Sequence, residues 1–486
     1  MGFNFTQFAK KTSETVDSLV SIVSTRAACQ RKAFRNAYEI LDRHRTRTKR
    51  SLFWGTGDAT LDERSLSELR EIARDLSRNN PVAIGLLRTE RDSVIGSGPK
   101  VEARSDDISW NADTEAAYAE TMLDRPCDVT GRFNAMQLMR IGYLSYRRDG
   151  DAAILFGADG LQGIEGDQIG TPYGKQRPDL FEIVNGVAYS KKTRMILGYY
   201  IGQPNKWGYI QPDTWQKYPA DKVHHIFNPE RISFSRGEPV LTPSIKYLDY
   251  LTGYIDAELV AAKVNACFSM FVSQQNGDIP GAYTQGVEST GLTDQNFRHE
   301  KLEPGTIMYG QPGEQATGIG QTRPGALFDP FIQRILTIIG RPLCIPLMLI
   351  TLDYSGATFM NARIAYQKAQ EMWEAEQNIV IRPLASRIWL WGIRKLIDSG
   401  RIKEIEGWNR HEVFCKRWPY VDPYKEAIAD EQQLKNATTT RTAVCARQGT
   451  DFADIVEKLA EEKKMLDDRE LSDVTAQTVG KIQITN

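Results

Sequence analysis

Four carboxylates, Asp149, Asp151, Glu165 and Asp167, and the adjacent pair His224-His225 are the side chains of this 486-residue sequence best suited to gather a divalent metal. A metal held by carboxylates activates water against a phosphodiester, so this set would suit a metal-dependent DNA-processing enzyme. Their spacing argues against it. In a strand over residues 222–227 the two histidines project to opposite faces, so one metal cannot easily take both, and one should be buried and the other exposed. Asp149-Gly150-Asp151 has the form of a turn before a strand and lacks the downstream ligands of a calcium loop. Gly96-Ser97-Gly98 follows a helical pattern rather than a strand, and no Gly-Lys-Ser/Thr closes it, so it is read as a turn and not a phosphate loop. The sequence also has no Gly-x-Ser-x-Gly elbow, no Walker lysine loop and no zinc-type cluster. Its five histidines, His44, His224, His225, His299 and His411, are dispersed. No catalytic residue, metal or cofactor is assigned.

The elements around these residues follow from periodicity. Residues 65–79 place Leu66, Leu69, Ile72 and Leu76 at helical spacing, with acids early and arginine late as the helix dipole favours. Asn80-Pro81 ends that helix, and a second runs from Val82 to Val94. Strand-like runs follow at 152–156, 181–184 and 196–201, separated by Gly, Asp and Pro turns. From residue 243 a stripe of Ile245, Leu248, Leu251, Ile255, Leu259, Ala262, Ala266 and Met270 predicts one helix over 243–272, about 45 Å long at about 1.5 Å per residue. Residues 273–324 are rich in glycine and proline, with short β-prone pieces such as 306–309. A helix over 327–339 leads to a proline-interrupted apolar stretch and the polar loop 351–358. The next helix starts near Asn361 and should kink or split at Pro383. A further piece over 384–397 ends at Gly400, and 451–464 is a charged amphipathic helix. The fold class is α+β, mainly α.

With 41% hydrophobic residues the chain can bury a substantial core. Its 61 Lys+Arg against 62 Asp+Glu leave a net charge of −1, which excludes a partner held by global basicity. Residues 26–50 are locally basic, and Arg43, Arg45, Arg47, Lys49 and Arg50 form an arm that is either solvated or in contact with nucleic acid. Six scattered cysteines with no C-x-x-C pair imply reduced thiols in a reducing compartment. The opening MGFNFTQFAKK lacks the apolar core of a signal peptide, which argues against secretion. Gly340, Arg341, Pro342 and Pro346 interrupt the most apolar stretch, 335–352, so no membrane span is expected.

Local stretches then occur in a characteristic order: RDLSRNNP (74–81), VIGSG (94–98), VHHIFNPER (223–231), RGEP (236–239), DAELVAAK (256–263), LEPGTI (302–307), PGE (312–314), DYS (353–355) with Ala362-Arg363, and DPYKEA (422–427). Together they resemble the lambda-type family of bacteriophage portal proteins over roughly residues 65–465. Each is weak alone; nine in order are specific. The chain departs from the pattern at Phe359-Met360-Asn361, where the family usually carries a Tyr-Ser-Ser-like run.

The resemblance implies a cyclic ring of about twelve subunits with wing, stem, clip and crown regions around a channel for double-stranded DNA at one capsid vertex. On that plan residues 1–64 are a basic arm and flexible segment, 65–242 the wing, 243–272 the first stem helix, 273–325 the clip and 326–342 the second stem helix. Residues 343–361 become the tunnel-loop region, 362–410 a long kinked wing helix, and 411–486 the crown and tail. Thr351, Asp353, Tyr354, Ser355 and Thr358 would face DNA, making contact without sequence specificity. The implied partners are the terminase large subunit, the major capsid and scaffold proteins, and head–tail connector proteins. The implied location is the virion, with host cytoplasm during assembly. Near-neutral charge suits this role, because a channel that gripped every phosphate would stall translocation. Two other readings remain open: a metal-dependent DNA-processing enzyme, and another structural capsid or connector protein.

Overall fold

The computed structural model describes residues 56–172, 181–272, 306–309, 325, 327–356, 358–418, 423–447, 450 and 452–469. The chain divides into two compact units, Met1–Pro243 with Gly340–Asn486, and Ser244–Ile339.

The first unit opens with α1, Glu63–Asn79, capped by the Asp62 side chain, which accepts from the Ser65 amide at 2.9 Å. Leu66, Leu69, Ala73 and Leu76 fill its buried face. Asn80 both ends α1 and caps α2, Pro81–Val94, by accepting from Val82 and Ala83, and Pro81 occupies the first turn, where no donor is needed. Beyond the Gly96–Gly98 turn, β1 (Lys100–Ala103) pairs antiparallel with a strand from the far end of the unit, β11 (His411–Phe414). Between them lie α3, Ile108–Tyr118, and α4, Ala135–Asp149. The three strands expected from pattern, β2 (Ala152–Phe156), β4 (Phe181–Val184) and β6 (Ile196–Ile201), are present. They join two antiparallel sheets. One has the order β3-β2-β8, with β3 Leu161–Glu165 and β8 Val223–Ile226; the other runs β4-β5-β6-β7, with β5 Val187–Ser190 and β7 Gln216–Pro219. Ala153, Leu155 and Ile164 of the first share an apolar cluster with Val187, Tyr199 and Ile201 of the second.

The second unit contains α5, Ile245–Cys267, β9, Phe268–Val272, and β10, Thr306–Tyr309. The helix expected to reach residue 272 stops at Cys267, because the aromatic and β-branched run beyond it pairs in parallel with β10. Tyr254 stacks on Phe328 at 5.7 Å and meets Phe331 edge-on at 5.2 Å, tying α5 to α6, Phe328–Gly340. Apart from 306–309 and 325, the expected clip segment lies outside the described residues.

The first unit resumes with α7, Leu347–Thr351, and α8, Phe359–Glu376. The long helix expected here is interrupted directly before Pro383. A π-turn over Gln377–Ile381 carries α8 into α9, Arg382–Asp398. Proline offers no donor and crowds the preceding turn, and the wider turn absorbs both effects. The Gln377 side chain donates to the Val94 and Lys416 carbonyls, both at 2.8 Å, and fixes the turn against the core. Trp373 and Trp389, on either side of it, sit in the main core with Tyr143, Leu384 and Ile388. Helices α10 (Pro423–Lys435), α11 (Arg441–Arg447) and α12 (Phe452–Asp467) complete the described chain. Among the described residues no helix is long and apolar enough to cross a membrane, and Cys127, Cys344, Cys415 and Cys445 are free thiols.

Gly150 joins α4 to β2 with φ +95°, and a Cβ there would meet the Gly237 carbonyl oxygen at 2.5 Å. Gly150→Ala should therefore destabilise the protein by more than about 1 kcal/mol, read as a lower urea midpoint; an unchanged midpoint would contradict this packing.

Candidate functional site

The polar segment expected to contact DNA is fully exposed where it is described. Leu352 caps α7 in the left-handed region at φ +55° and turns the chain outward. The Thr351 hydroxyl donates to the Leu347 carbonyl at 3.0 Å and accepts from the Asp353 amide at 3.3 Å. Asp353 accepts from the Ser355 amide at 2.9 Å, and Ser355, through its amide and hydroxyl, holds that carboxyl below its ordinary range, so it is charged at neutral pH. Thr358 caps α8, accepting from Asn361 at 3.4 Å. Thr351, Asp353, Ser355 and Thr358 thus shape the loop as well as its surface, while Tyr354 stands 54% exposed beside Leu352 and Phe359. Residues 343–361 contain no lysine or arginine and a single acid, Asp353. Such a surface can hydrogen-bond or pack against a phosphate backbone without neutralising it. The basic arm residues Arg43, Arg45, Arg47, Lys49 and Arg50 lie outside the described residues.

The four candidate metal carboxylates do come together, but on arginines. Asp149 and Asp151 are fully buried at the α4–β2 junction. Arg70 of α1 donates to the Asp149 carbonyl at 3.0 Å, to Asp151 at 2.7 Å and to Asp167 at 3.2 Å. Arg74, one turn on, holds Asp149 at 2.9 Å and 3.1 Å, pairs with Asp167, and lies 3.6 Å from Glu165. Arg148 forks onto Asp149 at 2.7 and 2.8 Å. Arg236 pairs with Asp151 and donates to the Ile169 and Asn185 carbonyls at 2.7 and 2.9 Å. Burial alone would raise both acids; instead Arg236 and Arg70, with the His225 hydrogen bond, hold Asp151 well below its ordinary range. Arg148 and Arg74 hold Asp149 below its ordinary range. Carboxylates so occupied have no lone pairs directed at a shared cation, and among the described residues no cluster of acids, histidines and cysteines could hold a metal.

The histidine pair corrects one expectation. His225 is buried, 3.1 Å from Asp151, while His224 is half-buried rather than exposed. Its strand is covered on both faces, with Arg387 of α9 reaching the Val223 carbonyl at 3.0 Å. Burial, together with Arg387 and His225, lowers His224 to about 4, and burial lowers His225 against the opposing pull of Asp151. Sequence reading missed the arginines. The available signal was that Arg74, His225 and Arg236 fall in three of the ordered motifs, RDLSRNNP, VHHIFNPER and RGEP, which converge here.

A family model described as phage portal protein, lambda family, matches residues 45–377. A probable portal protein of Halomonas phage phiHAP-1 is 23% identical over 420 residues, which cover 81% of this chain and 79% of the relative. Among solved structures, a chain from the virion of a native gene transfer agent particle aligns at a TM-score of 0.38 and 13% identity, over 79% of this chain and 93% of that one. A chain from the neck of the native particle, computed with C12 symmetry, aligns at 0.39 and 14% identity, over 80% and 94%.

Two measurements check the buried cluster. Asp151→Ala leaves Arg70 and Arg236 buried without their shared partner and should cost about 3–5 kcal/mol; a loss under about 1 kcal/mol would mean the pairs are not formed. Acidification should weaken the fold in two stages. Histidines held low resist the proton that the unfolded chain takes below about pH 6.5, so stability falls from there towards about 4. Aspartates held low contribute above about pH 3.9, and that contribution is lost as pH falls through their lower folded values. His224→Gln should flatten part of the upper stage in urea midpoints followed against pH.

Proposed function

The chain belongs to the lambda family of phage portal proteins, a structural family and not an enzyme family, and from that premise we propose that it forms a ring of about twelve copies at one vertex of a phage capsid. Double-stranded DNA enters and leaves through its channel. The observation that carries this reading is the family match over residues 45–377. The ring docks the terminase large subunit during packaging and head–tail connector proteins afterwards, and it assembles in the host cytoplasm with major capsid and scaffold proteins.

On this reading α5, about 35 Å long, and α6 are the stem helices, with 273–325 the clip between them. Residues 65–242 and 362–410 form the wing, which also takes in β11 through its pairing with β1; the crown and tail come after. Apolar side chains left exposed on the helical unit, Tyr250 at 62%, Leu259 at 54% and Val260 at 58%, support stem helices that pack against neighbouring copies. The loop bearing Thr351, Asp353, Tyr354, Ser355 and Thr358 faces DNA, and its lack of cations supports a surface that DNA slides past. Arg43, Arg45, Arg47, Lys49 and Arg50 supply phosphate contact away from that constriction.

Electron microscopy with mass photometry should show closed rings of about a dozen copies; a compact dimer with nuclease activity would refute the proposal. Alanine at all five loop positions should leave ring assembly intact and impair packaging or DNA retention. Thr351→Lys should steepen the salt dependence of DNA binding by about 0.9 log units per phosphate engaged and slow packaging. Unchanged salt dependence would place the loop away from DNA.

A further inference from the structure

The connection between β6 and β7 presents a preorganised aromatic knob. Asn205 accepts from the Trp207 and Tyr209 amides at 2.9 and 3.1 Å, its own amide donates to the Tyr209 carbonyl at 2.8 Å, and Gly208 closes the turn at φ +84°. Thr214 and Gln203 tie the base together at 3.2 and 3.3 Å. On this frame Trp207 and Tyr209 are each 74% exposed. Lys206 lies 5.1 Å over the Trp207 ring and has no carboxylate partner among the described residues. Large aromatic side chains fixed in this way lose little entropy on binding, and such residues dominate the energetics of protein interfaces.

Elsewhere in the same unit, the β2–β3 turn, residues 121–128 after α3 and α9 line an open cleft of about 800 Å³. Met122, Pro126, Trp391 and Leu396 line it. Of its two cations, Arg394 pairs with Asp398 and Glu404, each at 3.0 Å, and Lys395 lies 4.7 Å over the Trp391 ring. Asp159, exposed at the turn on its rim, has no ion-pair partner among the described residues.

A convex patch and a complementary concave one on the same chain generate a head-to-tail contact, the kind that closes into rings. We propose that the knob of one copy seats in the cleft of the next, with Trp207 and Tyr209 against Trp391, Pro126 and Ala158, and Lys206 facing Asp159. The inference rests on the proposed ring and adds the residues that join neighbouring wings. The occupant is a second copy because the chain supplies both halves, and Lys206 of one and Asp159 of the other each lack an ion-pair partner among the described residues.

A photo-reactive benzoylphenylalanine at position 207, activated in assembled rings, should cross-link subunits, with the bond mapping to residues 121–128 or 391–399. Charge exchange gives an independent readout. Lys206→Asp and Asp159→Lys should each raise the half-assembly concentration about threefold, and the double variant should return it towards wild type. Trp207→Ala should raise it about tenfold or more while thermal stability is unchanged. Rings that form normally but cross-link elsewhere, or to another protein, with no rescue by the double variant, overturn this contact and leave the ring reading standing. A chain that remains monomeric at every concentration removes both.

Discussion

Two buried aspartates impose the main constraint on this fold. Asp149 and Asp151 flank Gly150 where α4 passes into β2, and neither could remain charged there without the cations that surround it. Those cations come from α1, from the end of α4 and from the loop after β8, while β8 adds His225 and the turn after β3 adds Asp167. Removing one partner strands the others in a low-dielectric site, so the cluster selects one mutual placement of five segments. Such a cluster contributes less to net stability than to specificity of arrangement, and it holds still the base on which the apolar cores are built.

The same cluster shows what sequence could and could not convey. The strands at 152–156, 181–184 and 196–201 were legible because local pattern and turn residues agree there. The acids were legible as chemistry, but their distant partners lie 75 and 85 residues away, at Arg74 for Asp149 and Arg236 for Asp151, and periodicity carries no information at that range. The exposure expected for one histidine failed for a related reason, since α9 covers β8 from more than 160 positions downstream. The end of α5 was misread where an apolar stripe continues into the aromatic-rich run Phe268–Val272, because helical spacing and strand propensity coincide over those residues.

The candidate DNA-facing loop was easier to find, because its polar residues follow a proline-interrupted apolar stretch and must lie outside the core. Less visible was that its hydroxyls serve two ends. Thr351 and Thr358 close the helices on either side, and Asp353 organises the turn between them. A loop braced this way presents a definite surface, and that surface carries no cation.

The π-turn at Gln377–Ile381 has a consequence for how the chain tolerates change. One added residue rotates everything before it by about 100° relative to everything after it, so the two halves of the long helix are out of phase. Trp373 before the turn and Trp389 after it nonetheless reach the same core, so the turn sets the phase at which both halves share one interior. A residue gained or lost between Trp373 and Trp389 would rotate one tryptophan out of that interior, so the stretch across the turn is the least tolerant of a change in length.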